Sequence, residues 1–242
     1  MTGRFTSEQL KKIAMGTMFL DHAAVALIYN AGLDRVSTCF EIIGLAMRLI
    51  GRMAFPLYAF LLVQGFLWTK DWIRYASRVA VFALVSEIPY DLVAFEMVWN
   101  MERQNTMFTM LIGLICMKGI RWAEEIDWGS EENGGFPRLA MIMLIAAVGA
   151  LAAEFLHVDY GAAGIILILI FYIFRYRPAE QWIGGCMALY LIYFSVYAFA
   201  AWIAIFLISR YNGERGKKMG YLPYFFYPAH LLALWLAGVI LV

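Results

Sequence analysis

The stretch IAMGTMFLDHAAVALIY, residues 13–29, decides how this chain is read. It is apolar enough to cross a bilayer, whose core takes about 20 apolar residues as a helix. Yet Asp21 and His22 stand side by side at its centre. An ionisable side chain at that depth costs about 3 kcal/mol on insertion scales. A helix that only anchors has no use for two of them, so the pair asks for partners, a solvated cavity or chemistry inside the membrane. The same two residues argue against a cleaved leader. Lys11 and Lys12 precede the run as in a signal peptide, but the apolar core of a leader is not broken in this way.

Composition extends the reading to the whole chain. Of 242 residues, 63% are hydrophobic and 15% charged, and the mean hydropathy is +0.71. Soluble domains lie near 45–50% and 25%. The expectation is an all-α, polytopic membrane bundle, a single domain over residues 1–242. Candidate spans fall at 12–30, 53–69, 76–95, 105–122, 138–155, 160–175, 181–194, 196–209 and 221–241. The net charge of +1 gives no electrostatic footprint for nucleic acid. Cys39, Cys116 and Cys186 follow no CxxC or metal-like spacing, so neither disulfides nor a metal is expected.

The basic residues test this count by the positive-inside rule. With the N-terminus inside, the inner segments hold Arg4, Lys11 and Lys12; Lys70, Arg74 and Arg78; Lys118, Arg121 and Arg138; Arg175 and Arg177; and Arg210, Arg215, Lys217 and Lys218. Only Arg35 and Arg103 fall outside. This favours N-inside, C-outside and an odd number of crossings. Residues 181–209 are too long for one ordinary span and are basic at both flanks, so two short helices turning near Ser195–Tyr197 are expected, giving nine spans. Residues 38–52 read as a short amphipathic or re-entrant helix on the outer side. The acidic, Gly-rich stretch 124–137 reads as a solvated loop.

Other polar residues recur in or beside apolar runs. Arg48 and Arg52 lie four apart and share a helix face. Glu87 and Asp91 also lie four apart, around Pro89, and their charge complements are those two arginines. Gln64 stands alone in the second span. Gln104 and Asn105 open the fourth span, Asp159 and Tyr160 the sixth, and His230 lies midway along the last at a depth similar to His22. For each there is a structural reading: ion pairing, helix capping by Asn105 or Asp159, or interhelical hydrogen bonding. The functional reading makes His22 a general base, since imidazole accepts protons near neutral pH, and makes Asp21 the anchor of a cationic partner. No phosphate-binding GxxxxGK[ST], GxSxG or HExxH motif is present.

These residues also carry a family resemblance. Leu20-Asp21-His22, Arg48 to Pro56, Ala59 to Phe66, Ser86 to Leu92, Gln104-Asn105 with Phe108-Thr109, Asp159-Tyr160-Gly161 and Tyr227 to His230 resemble the TraX family, in order and with similar spacing from about residue 10 to the C-terminus. The namesake of that family is a pilin N-acetyltransferase of conjugative systems, related to the wider group of transmembrane acyltransferases. The resemblance implies a multi-pass enzyme of a bacterial-type cytoplasmic membrane. It would take acetyl from cytoplasmic acetyl-CoA and pass it to an amine or hydroxyl acceptor on the outer side. The family's histidine on the first helix matches His22.

Together these readings predict a polar tunnel through the bundle. His22 and Asp21 are its catalytic residues. Arg48, Arg52, Gln64, Glu87, Asp91, Gln104, Asn105, Asp159, Tyr160 and His230 surround the substrates, and Arg74, Arg78, Arg175 and Lys217 hold the phosphates of acetyl-CoA. A homodimer is compatible with this reading. A polar-solute transporter, or a non-catalytic membrane assembly subunit with the charges as helix glue, stands as the alternative.

Overall fold

Each apolar run becomes a helix in the computed structural model, which describes residues 3–129 and 131–241. Chain order is α1 (Ser7–Ala24), a π-helical turn (Val25–Tyr29), α2 (Leu33–Val36), α3 (Thr38–Gly51), α4 (Ala54–Trp68), α5 (Trp72–Ala94), α6 (Thr106–Glu125), α7 (Glu131–Phe155), α8 (Gly161–Ile173), α9 (Pro178–Tyr193), α10 (Val196–Ser209) and α11 (Leu222–Leu241). No strand is present among the described residues.

Among the described residues, five helical stretches are long and apolar enough to cross a membrane: Ser7–Tyr29, Thr38–Trp68, Thr106–Glu125, Gly135–Phe155 and Leu222–Ile240. α8 and α10 are shorter apolar helices. The outward faces are apolar: Val81, Leu84, Val85 and Ile88 on α5, and Leu139, Met143, Leu144, Val148 and Leu151 on α7, are all exposed. Apolar area on that scale belongs against lipid rather than water.

Local chemistry sets the breaks. Thr6 and Gln9 form a reciprocal capping box at the start of α1. Residues 178–209 are two helices, divided where Phe194 takes a left-handed conformation (φ 41°) and Ser195 caps α10. Residues 38–52 are helical, but they do not turn back. α3 runs on through Arg52 and Met53 into α4, making a nearly unbroken stretch of 31 residues. The acidic stretch 124–137 is mostly helix rather than loop. Only residues 126–130 separate α6 from α7, and Ser130 lies outside the described residues.

α4 is the hub, packing against α1, α6, α8 and α10, while α11 packs on α5 and α1. Two apolar cores result. The larger joins α4, α6, α8, α9 and α10 with Leu10 and Ala14 of α1 and Tyr75 and Val79 of α5; the smaller joins the later parts of α1 and α5 with α11 and Ala54. Tyr58 and Met107 touch both, and the site lies along this seam. At one end the N-terminal segment clasps the α10–α11 loop. The amides of Arg4 and Phe5 donate to Arg210 O (2.6 and 3.0 Å), those of Ser7 and Glu8 to Glu214 O and Arg215 O (2.9 and 3.1 Å), and Lys217 N donates to Glu8 Oε2 (2.7 Å).

Candidate functional site

The site grows from two consecutive residues of α1 that point about 100° apart. Asp21 faces α3. Its carboxylate accepts from Arg48 Nη1 at 2.7 Å and from Arg52 Nη2, so both arginines of the shared face meet one anion. The approach requires Gly51 between them, because a Cβ at that position would run into the Asp21 carboxylate. The Arg52 guanidinium also lies over the Tyr193 ring, 5.6 Å from its centroid. Two cations share one anion, so the cluster keeps a net positive charge.

His22 faces α11. Its Nδ1 lies 2.7 Å from His230 Nε2, and His230 Nδ1 donates to the Phe226 carbonyl at 2.6 Å. The two imidazoles meet edge to edge, nearly coplanar at 19° with centroids 5.0 Å apart, and His230 stacks in turn on Phe226 at 4.6 Å.

Asp21 and His22 form part of the wall of a cavity of about 860 Å³ in the seam between the two cores. Lys11, Arg78, Arg215, Lys217 and Lys218 line one end, beside Trp68 and Tyr224. Phe95, Arg103 and Asp159 line the other, and Asp21, His22, Arg48 and Arg52 lie between. On α5 alone the lining runs from Tyr75 to Ala94, a helical length of about 28 Å at 1.5 Å per residue. The Tyr58 and Tyr227 hydroxyls are buried on this wall without a hydrogen-bond partner. The chamber is elongated and cationic at one end, with an imidazole midway, which are the charge and shape that suit an extended anionic ligand.

Comparison with known proteins identifies the family. Residues 6–238 match the family described as TraX protein. The chain belongs to the TraX family. It is 24% identical over a 261-residue alignment to the probable fimbrial assembly protein FimC, serogroup H1, of Dichelobacter nodosus, with 98% of this chain and 97% of that protein covered. No solved structure matches.

In this TraX-family chain, Asp21, His22, Arg48, Arg52, Arg78, Asp159, Tyr160 and Lys217 line the chamber, and the other expected residues do not. His230 stands behind His22. Glu87 and Asp91 do not meet the arginines. Glu87 Oε2 instead accepts from the Asn105 side chain and from its backbone amide at 3.3 Å. Asn105 caps α6 through Met107 N at 3.0 Å and donates to Ala83 O at 2.7 Å. Asp91 accepts from Asn100 N at 2.8 Å and so fastens the turn after α5. The arginines sit on the α1 side of the seam, where Asp21 is the nearer anion.

Gln104 contributes only its backbone here: its amide donates to His157 O and its carbonyl accepts from Asp159 N, both at 2.9 Å. Asp159 makes no capping hydrogen bond to α8. Its Oδ2 accepts from Thr106 Oγ1 at 2.7 Å, and Glu154 accepts from Ala162 N at 2.7 Å at the start of α8. Tyr160 stacks on Phe55, with centroids 3.7 Å apart. Gln64 on α4 and Arg74, beside Asp71 at 3.4 Å, lie off the chamber. Arg175 pairs with Glu124 at 2.9 Å at the far end of α6, also off the chamber. Lys11, Arg215, Lys218, Arg103 and Tyr58 have no site role in the sequence reading, and Tyr227 and Gly51 enter it only within the stretches that resemble the family. The three basic residues among them at the cationic end were visible there only as members of the inner charge clusters. Among the described residues no group of three His, Cys, Asp or Glu side chains is placed to hold a metal ion.

Proposed function

We propose that the chain is an integral membrane acetyltransferase of the cytoplasmic membrane, with nine crossings and its N-terminus inside. The observation that carries this reading is the chamber, with its cationic end on the side that the basic residues assign to the cytoplasm and His22 midway along it. Lys11, Arg78, Arg215, Lys217 and Lys218 would bind the phosphates of acetyl-CoA, and Trp68, with Arg215 stacked 4.7 Å above its ring, offers a face for the adenine. The pantetheine arm then reaches His22. The acceptor amine or hydroxyl enters from the Arg103 and Asp159 end and gives its proton to the imidazole as it attacks the thioester carbonyl. The C–S bond breaks, and the thiolate leaves with that proton. The guanidinium N–H groups of Arg48 and Arg52 that Asp21 does not occupy stabilise the oxyanion, an effect worth about 3 kcal/mol for a single donor elsewhere.

The test is purified protein in liposomes with labelled acetyl-CoA and a panel of amines, sugars and peptides. Acceptor-dependent loss of acetyl-CoA that disappears in His22→Ala supports the reading, and full turnover by that variant removes His22 from it. A second reading, a non-catalytic fimbrial assembly subunit, is favoured by the name of the relative and by Asp21 already being satisfied by two arginines. In that case fibre assembly would need the folded chain while no acceptor turned over acetyl-CoA.

A further inference from the structure

We propose that His230 is a positioning residue that holds His22 in one tautomer, with the proton on Nδ1 and the lone pair on Nε2. The proposal rests on the reading of His22 as the base of acyl transfer. It follows from hydrogen-bond polarity along three groups. The Phe226 carbonyl only accepts, so the His230 nitrogen 2.6 Å from it, Nδ1, carries the proton. A neutral imidazole has one N–H, which leaves His230 Nε2 as an acceptor. That nitrogen lies 2.7 Å from His22 Nδ1, which therefore donates. The reactive lone pair of His22 is on Nε2. In most hydrolytic sites a carboxylate orients the histidine. Here the adjacent carboxylate, Asp21, is held by Arg48 and Arg52, and a second imidazole takes the orienting place. His230 is itself fixed, 5% exposed and stacked on Phe226. When Nε2 takes the acceptor's proton, Nδ1–H still donates to His230, and the charged ring gains a charge-assisted hydrogen bond.

The chain has three histidines, His22, His157 and His230, and His157 is exposed, so nitrogen NMR of ¹⁵N-histidine-labelled full-length protein in detergent can resolve each ring. The expected wild-type spectrum shows a protonated Nδ1 and an unprotonated Nε2 for both His22 and His230. His230→Phe keeps an aromatic ring against Phe226 but removes the acceptor. It should give a mixture of His22 tautomers and a kcat for acetyl-CoA lower by about 10–100-fold at unchanged KM, the range seen for orienting partners of histidine ligands. His230→Gln, whose amide oxygen accepts from Nδ1–H, should recover most of both. A wild-type His22 protonated on Nε2, or a His230→Phe variant with wild-type spectrum and kcat, overturns the proposal. The wild-type spectrum decides this point even if a variant fails to fold. The expected tautomer in a protein that turns over no acetyl-CoA upholds the geometry and removes the acyltransfer reading alone.

Discussion

Two polar clusters lie within the helices of this bundle, and they differ in what answers their charge. On the α1–α3 side, Asp21 meets two guanidiniums and faces the chamber. On the α5–α6 side, Glu87 and Asp91 meet amides: the Asn105 side chain and backbone for one, Asn100 N for the other. One oxygen of each carboxyl is buried without a partner, and neither residue lines the chamber. In sequence the two clusters look alike, as carboxylates within apolar helices. The first sets two guanidiniums against one carboxylate on the chamber wall, which suits a site. The second joins α5 to α6 and to its own exit turn, which suits a structural clamp.

Substitutions that remove charge without changing shape test this contrast. Asp21→Asn leaves Arg48 and Arg52 without their anion, and removing one partner of a buried pair costs about 3–5 kcal/mol. A large fall in the thermal midpoint in detergent is expected, and a midpoint within a degree of wild type would break the comparison. Gly51→Ala drives a methyl group into the Asp21 carboxylate. Overpacking of this kind costs about 1–3 kcal/mol, read from the same melt, and acetyl-CoA turnover should fall with it as the arginines shift.

Glu87→Gln keeps an oxygen to accept from Asn105 and removes a carboxyl that has no cation. Its effect on stability should stay within about 1 kcal/mol, the net worth of one hydrogen bond. A loss as large as that of Asp21→Asn would show that the α5 cluster is also charge-dependent. Smallest of all, Arg74→Gln should change stability by no more than about 0.5 kcal/mol, as for other exposed positions, and should leave the KM for acetyl-CoA unchanged. Arg215→Gln, on the chamber, should raise that KM by roughly tenfold, the equivalent of one charge-assisted hydrogen bond.

The helices were legible because apolar runs and their breaks are local properties. So was the shared face of Arg48 and Arg52, since a four-residue spacing determines it. The choice of anion was not. Glu87, Asp91 and Asp21 are equivalent as residue types, and only the packing of α3 on α1 rather than on α5 selects Asp21. The same limit applied at the cationic end. Arg74 and Arg78 sit one helical turn apart, but Arg74 lies outside the opening beside Asp71 while Arg78 lines it. Arg215 and Lys218 reach the chamber through the path of the α10–α11 loop, which no periodicity describes. Gly51 lies within a stretch that resembles the family, but its role appears only when the Asp21 carboxylate is placed against it.

The contacts that complete the centre join the first helix to the last. His22 and His230 are 208 residues apart, and the N-terminal strap is bound to the loop just before α11. Pairings this distant in sequence form late. A chain emerging from the ribosome therefore carries an unaligned imidazole until its final helix is in the membrane. Nascent fragments that end before Leu222 should leave that ring unfixed and, on the proposed reading, turn over no thioester, which pulse-labelled truncations would reveal.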